Sequence, residues 1–211
     1  WSSDVCSSDL EHNIHAFDTI RALISLMAIC GNLQIEGGNV EAYDPKIIGL
    51  GALVRADLIP NKAKEMIGAY HRVIPRLMTV APGFFRKAVL EEIPYPVRAA
   101  YMMCCNPMLS YADSRRTHAA LMKLDFLAVA DLFMTPTAAL ADIVLPAASH
   151  FEIDDIGHLG LGHGYILARP RVVDPPEECW PDVKIMNELG KLMTTGAYWH
   201  EEYRQFLEDV V

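Results

Sequence analysis

Three short apolar runs constrain this chain more than any other feature: Ala100 to Cys105, Phe126 to Ala130, and Ile143 to Leu145. Each has strand length and is apolar throughout, and they end at Asn106-Pro107, Asp131 and Pro146. Alternation marks a strand with one wet face, whereas a continuous run marks one covered on both faces. Between the first two runs, Ser114 to Leu124 reads as a helix with Ala119, Leu121, Met122 and Leu124 as its apolar face. After Asp131, Thr135-Pro136 reads as a helix start, with Thr as N-cap and Pro in the first helical position. Strands buried on both faces and joined by helices predict an α/β fold, a parallel sheet flanked by helices and Rossmann-like.

In such sheets ligands bind beyond the carboxyl ends of the strands. Asn106 and Asp131 stand at those ends. A carboxylate at Asp131 can accept two hydrogen bonds from the N1–H and N2–H₂ of a guanine edge; the alternative is a turn residue or cap. A helix N-terminus at Thr135 and Thr137 favours phosphate or another anion. Asp142 begins its strand, away from the ligand-binding ends, and reads as a structural cap.

The chain has 211 residues, 52% hydrophobic and 21% charged, enough for one large α/β domain or two small ones with a proper core. Its formal net charge of −9, without a block of Lys or Arg, argues against nucleic acid as a partner. No apolar run approaches the ~20 residues needed to span a bilayer. Cys6, Cys30, Cys104, Cys105 and Cys179 include no C-x-x-C pair, so an iron–sulfur or structural zinc site within the chain is not expected. Their irregular spacing fits reduced, mostly buried thiols, with Cys104 and Cys105 serving packing from opposite faces of a strand. Cytoplasm and periplasm both stay open.

Elsewhere the chain is uneven. Trp1 to Leu10 is Ser- and Asp-rich, repeats S-S-D, and resembles a translated sequencing-adapter scar; a disordered tail is the alternative. Phe17, Ile20, Leu23, Ile24, Met27 and Ala28 recur at helical spacing, predicting an amphipathic helix ending at Gly31, and Gly37-Gly38 marks the loop after it. From Glu41 to Glu92 a connector carries helices near Lys62 to Tyr70 and Phe85 to Glu92. After Pro146, His150, Glu152, Asp154, Asp155, His158 and His163 fall in a polar, glycine-rich loop that lacks H-E-x-x-H spacing, so a metal site is not expected there. A strand around Tyr165 to Ala168 follows. Trp180-Pro181-Asp182 begins another helix, with Val183, Ile185, Met186, Leu189 and Leu192 as its buried stripe, and Tyr198 to Val211 reads as a last helix.

PYPVRAAYMM, NPMLSYADS and above all LDFLAVADLFMTPTAALADIVLPA resemble the third domain of the molybdopterin oxidoreductases, the dimethyl sulfoxide reductase superfamily. The resemblance covers roughly Glu11 to Trp199 and looks closest to the polysulfide and thiosulfate reductase and acetylene hydratase branches. It implies an internal fragment of a longer catalytic subunit: residues 11–40 close the second cofactor-binding domain, 41–95 form a helical insertion or connector, and 96–211 form the α/β domain. It implies bis(molybdopterin guanine dinucleotide) with molybdenum or tungsten. Any iron–sulfur cluster and the metal-ligating residue would lie upstream of this chain, leaving no catalytic or metal-binding residue within it.

Carried over residue by residue, Asn106 and Pro107 would pass the ribose and phosphates, with Ser110 nearby. Asp131 would pair with guanine, and Thr135 and Thr137 would lie beside the phosphate or ribose. Asn13, Gly37, Gly38 and Asn39 match the helix–loop that closes the second domain beside the cofactor. Gly164 and Arg169 only partly match the family's E-G-R segment. The implied activity of the whole protein is two-electron redox chemistry or oxygen-atom transfer on a small-molecule substrate, with an iron–sulfur electron-transfer subunit as partner and no membrane span of its own. Two alternatives stand beside it: a non-catalytic homologue in a respiratory complex, and an unrelated nucleotide-binding α/β domain.

Overall fold

The run at Phe126 becomes the middle strand of a sheet. In the computed structural model, which describes residues 14–39, 67–68, 80–157, 166–193, 199–200, 202, 204–205 and 208, strands β1 (Ala99–Met103), β2 (Phe126–Asp131) and β3 (Ile143–Pro146) lie in the order β1-β2-β3. Both pairings are parallel, Ala99 opposite Phe126 and Met103 opposite Ala130 on one side, Ala128 opposite Ile143 and Asp131 opposite Pro146 on the other. As the middle strand, β2 buries four residues in a row, Leu127 to Ala130. A continuous apolar run is what two covered faces require, and burying Leu127 or Val129 contributes about 1.5–3 kcal/mol each.

Helices α2 (Pro82–Glu91) and α4 (Ser114–Lys123) pack against each other in this unit, with the four-residue α3 (Pro107–Ser110) beside α4. Asp113, in a left-handed conformation, caps α4 by accepting the Arg116 N–H. The buried face of α4 is Thr117, Ala120 and Leu121 with half-buried Leu124, a stripe at i, i+3, i+4 and i+7. Ala119 and Met122 of the expected face are exposed instead, because the buried stripe begins at a polar residue, Thr117. Its hydroxyl donates to the Asp113 carbonyl and accepts from Arg86. Met102, Leu121, Leu127, Val129 and Ala138 form the core.

Two corrections concern the sheet's edges. The first strand ends at Met103 rather than Cys105, because Cys104 turns the chain with φ +54°. Cys104 and Cys30 are exposed, and Cys105 and Cys179 half-buried, so the described thiols are not the buried set expected. Beyond β3, Trp180 donates its N–H to Pro146 and accepts from Ala148, a short parallel pairing that extends the sheet. From there α5 (Asp182–Met193) departs. It buries Ile185, Asn187 and Gly190, whereas Met186 and Leu192 of the expected stripe are exposed. Asn187 is held by both halves of its amide to His200, which explains a buried polar residue on that face. A small antiparallel pair, β4 (Asp155–Gly157) with β5 (Leu167–Arg169), completes the strands among the described residues.

The chain divides into two compact units, Trp1–Pro45 with His158–Ile166, and Lys46–Gly157 with Leu167–Val211. The sheet belongs to the second. The first contains α1 (Ala16–Ile29), whose C-terminus is followed by Gly31 at φ +67°, as expected. Its apolar periodicity is real but buries no residue, with Phe17 at 73% and Ile29 at 84% exposure. Asn13, the segment 1–10, the connector helix at 62–70 apart from 67–68, His158, His163, Gly164 and most of 198–211 lie outside the described residues.

Candidate functional site

A cleft of about 490 Å³ opens at the carboxyl ends of the three strands. Strand β1 sends Cys104, Cys105 and Asn106 into its wall, and β2 sends Ala130, Asp131, Leu132 and Thr135. Ala147, Ala148, Ser149 and His150 follow β3, and the pairing of Trp180 with the sheet edge brings Asp182 to the same place. The position is the one that parallel-sheet geometry predicts.

The two strand-end residues are held in different ways. Asp131 accepts the N–H of Leu132 at 2.7 Å and of Phe133 at 3.4 Å on Oδ1, and the Thr135 hydroxyl at 3.2 Å on Oδ2. It is therefore a turn cap, as one of the two readings held. A carboxylate offers about two lone-pair sites on each oxygen, so Oδ1 is filled by its two N–H groups and Oδ2 keeps one site for a ligand. Asn106 is fixed by a residue far along the chain: the Thr137 hydroxyl donates to its Oδ1 at 2.6 Å. Its carbonyl accepts the N–H groups of Leu109 and Ser110 in α3.

The helix start expected at Thr135-Pro136 is only a 3-10 turn, Ala138–Leu140. Thr135 does cap it, accepting the Ala138 N–H at 3.2 Å. Three residues sum too few peptide dipoles to make an anion site, so the electrostatic reason for phosphate beside Thr135 and Thr137 does not hold. Thr137 is fully buried rather than facing a ligand. Ser110 is exposed, outside the cleft lining, and its hydroxyl bonds back to the Asn106 carbonyl at 3.0 Å. Pro107 is buried at the first position of α3.

The floor of the cleft is electronegative. The Cys104 Sγ–H donates to Asp182 Oδ2 at 3.2 Å, and partial desolvation of the otherwise exposed residue, this bond and the Asp182 charge push its thiol up to about 11. Burial and then the Asp131 charge raise the Cys105 thiol. Burial, Asp182 and Cys104 raise the Tyr101 phenol. Among the described residues lining the cleft there is neither Lys nor Arg. Asp182 Oδ1 and the Tyr101 hydroxyl are buried without a hydrogen-bond partner among the described residues. Such atoms are costly unless something satisfies them. The surface is complementary to a group rich in N–H donors.

Cys104, Cys105 and Asp182 were not legible as site residues. The cysteines read as strand packing, and only the turn at Cys104 turns both toward the cleft. Asp182 read as the start of a helix, which it is; the Trp180 pairing supplies its position. Asp142 accepts the Leu127 N–H at 2.7 Å, the structural cap expected. In the polar loop, Glu152 accepts the Ser149 N–H, Asp154 accepts the Arg171 N–H and pairs with Arg204, and Asp155 pairs with Arg169.

In the first unit, Gly37 (φ +75°) and Gly38 close a tight loop over 32–39, held by Asn39 N–H to Asn32 O at 2.8 Å and Gln34 N–H to Asn39 O at 2.7 Å. A Cβ on Gly38 would come within 2.7 Å of Asn32 O. Both glycines thus have a backbone reason for being there.

Comparison with known proteins gives three results. The molybdopterin oxidoreductase family model matches residues 7–192. Curated relatives include the F420-dependent formate dehydrogenase 1 subunit alpha of Methanococcus maripaludis, 40% identical over 193 residues, covering 87% of this chain and 28% of the relative. The thiosulfate reductase molybdopterin-containing subunit PhsA of Salmonella typhimurium is 27% identical over 194 residues, covering 86% and 26%. Among solved structures, acetylene hydratase from Pelobacter acetylenicus superposes with a TM-score of 0.58 at 28% identity, covering 61% of this chain and 18% of that one. The chain spans about a quarter of the length of these curated relatives.

Proposed function

This chain belongs to the molybdopterin oxidoreductase family, and from that premise we propose that its strand-end cleft binds the guanine dinucleotide end of a bis(molybdopterin guanine dinucleotide) cofactor. The observation that carries the reading is the wall of the cleft. Asp131 Oδ2 keeps acceptor capacity, the Asp182 carboxylate lines the same wall, and among the described lining residues no Lys or Arg competes for either. Guanine presents adjacent N1–H and N2–H₂ donors, which such carboxylates satisfy. Hydrogen bonds to a charged acceptor contribute roughly 1.5–3 kcal/mol. In this reading Asn106 faces the ribose and phosphates, and the electronegative floor keeps the phosphates on the Asn106 side, away from Asp131. Pro107 fixes the turn behind Asn106, Thr135 steadies Asp131, and Ser110 only stabilises α3.

The same reading takes residues 11–40, with Asn13, Gly37, Gly38 and Asn39, as the end of the preceding cofactor-binding domain, and 96–211 as the guanine-binding domain. The whole protein would be the catalytic subunit of an oxidoreductase. When bound, the pterin-held molybdenum or tungsten supplies two-electron redox chemistry or oxygen-atom transfer; the residues of this chain anchor and orient the nucleotide. Relatives named as alpha or molybdopterin-containing subunits support an electron-transfer partner subunit. No helix among the described residues is long and apolar enough to cross a membrane.

The test is extraction of the purified full-length protein under acid, followed by chromatography. Pterin together with guanosine nucleotide is the expected result. Pterin without guanosine would remove the role of Asp131, and no pterin would favour a non-catalytic homologue.

A further inference from the structure

Thr137 is fully buried, so a direct ligand contact is closed to it. Its bonds nevertheless constrain the site. The hydroxyl oxygen accepts the Met108 N–H at 3.1 Å, and Asn106 Oδ1 lies 2.6 Å away. A buried hydroxyl has one proton and needs an acceptor for it. Asn106 Oδ1 is that acceptor, which holds the amide one way round. What Asn106 then has to offer the cleft it lines is Nδ2 with two protons, a group without a hydrogen-bond partner among the described residues. With the amide reversed, its oxygen would join Asp131 and Asp182 as a further acceptor on that wall.

We propose that Thr137 is a positioning residue: it fixes the Asn106 amide as a hydrogen-bond donor, so that the end of β1 selects an acceptor of the ligand, a ribose hydroxyl or phosphate oxygen. Asp131, at the end of β2, selects the donor edge. The cleft is thereby polarised across two neighbouring strands, and a nucleotide fits it in one direction only. This inference rests on the nucleotide reading above and adds to it a direction of binding and a residue that acts through another.

The experiment is calorimetric titration of the cofactor-free full-length protein with guanosine diphosphate. Thr137→Val keeps the shape and removes the hydroxyl; affinity should fall about tenfold. Thr137→Ser should stay within about twofold of wild type, since it restores the donor. In an Asn106→Ala background, Thr137→Val should cost less than about twofold more, because the two residues act as one unit. Asn106→Asp keeps an acceptor for Thr137 but loses the donor into the cleft, and should bind no better than Asn106→Ala.

Equal losses from Thr137→Val in both backgrounds would show a merely structural threonine and overturn the inference while leaving the nucleotide reading intact. Wild-type affinity for Asn106→Asp would overturn it in the same way, and that variant serves if Thr137→Val does not fold. Absence of any wild-type binding would overturn both.

Discussion

The ends of β1 and β2 lie side by side in register, yet they are built on opposite plans. The Asp131 side chain is held by its own loop: every hydrogen bond it makes among the described residues is to a residue one, two or four positions away. Asn106 is held by Thr137, 31 positions along the chain. A locally held residue can be read from a short stretch of sequence and depends little on the rest of the fold. One held at long range reports that the sheet, α3 and the turn at Ala138 have all formed. The pairing also divides the chemistry, with acceptors at one strand end and a donor at its neighbour.

The largest effect that would sharpen this contrast comes from Asp131→Ala. On the proposed reading it removes an acceptor for guanine, and it leaves the Leu132 and Phe133 N–H groups without theirs. Affinity for guanosine diphosphate should fall roughly ten- to a hundredfold by calorimetry. A milder result would mean that the loop, not the ligand, is what Asp131 serves.

Asp142→Ala probes the far end of the sheet. Loss of the acceptor for the Leu127 N–H should lower unfolding free energy in urea by about 1–2 kcal/mol. Nucleotide affinity should be unchanged, because the cap stands away from the strand ends that bind ligand.

Asn106→Ala should cost about tenfold in nucleotide affinity or less, a smaller loss than at Asp131 because the lost donor is neutral. It should leave the preference for guanine over adenine diphosphate intact, whereas Asp131→Ala should abolish it.

The smallest effect is at Cys104, whose thiol is pushed up to about 11 by partial desolvation, the bond to Asp182 and the charge of Asp182. Thiolate is the reactive form, so alkylation by iodoacetamide should be slow at pH 8 and rise about tenfold per pH unit until the pH nears that value. Asp182→Asn removes the charge and weakens the bond that favours the protonated thiol, and should speed the reaction at pH 8. An unchanged rate would detach Cys104 from Asp182.

These contrasts also explain what could be read in advance. The apolar runs at Phe126 and Ile143 and Asp131 at its strand end were legible because each rests on neighbours in sequence. Asp142 was legible from its place at a strand start, although the bond it makes reaches back 15 residues to Leu127. The family resemblance rested on the same local runs, and the family match extends over them. Thr137 was misplaced because T-P-T reads locally as a helix start, while its burial follows from a partner 31 residues earlier. The turn at Cys104 escaped because a non-glycine residue at positive φ leaves no mark in composition. The faces of α4 and α5 shifted because Thr117 and Asn187 are buried polar residues, acceptable only with bonds that periodicity does not see. In α1 the periodicity was right, yet without a buried residue the helix shows how little a stripe alone says about what covers it.

The most direct test of the central claim is the comparison of guanosine diphosphate with inosine diphosphate, which lacks only the exocyclic amine. Both would be titrated into the cofactor-free full-length protein and its Asp131→Ala variant. The account predicts that the wild type prefers guanosine by about tenfold and that the variant does not discriminate. A wild type indifferent to the amine, or a preference that survives in Asp131→Ala, would contradict it.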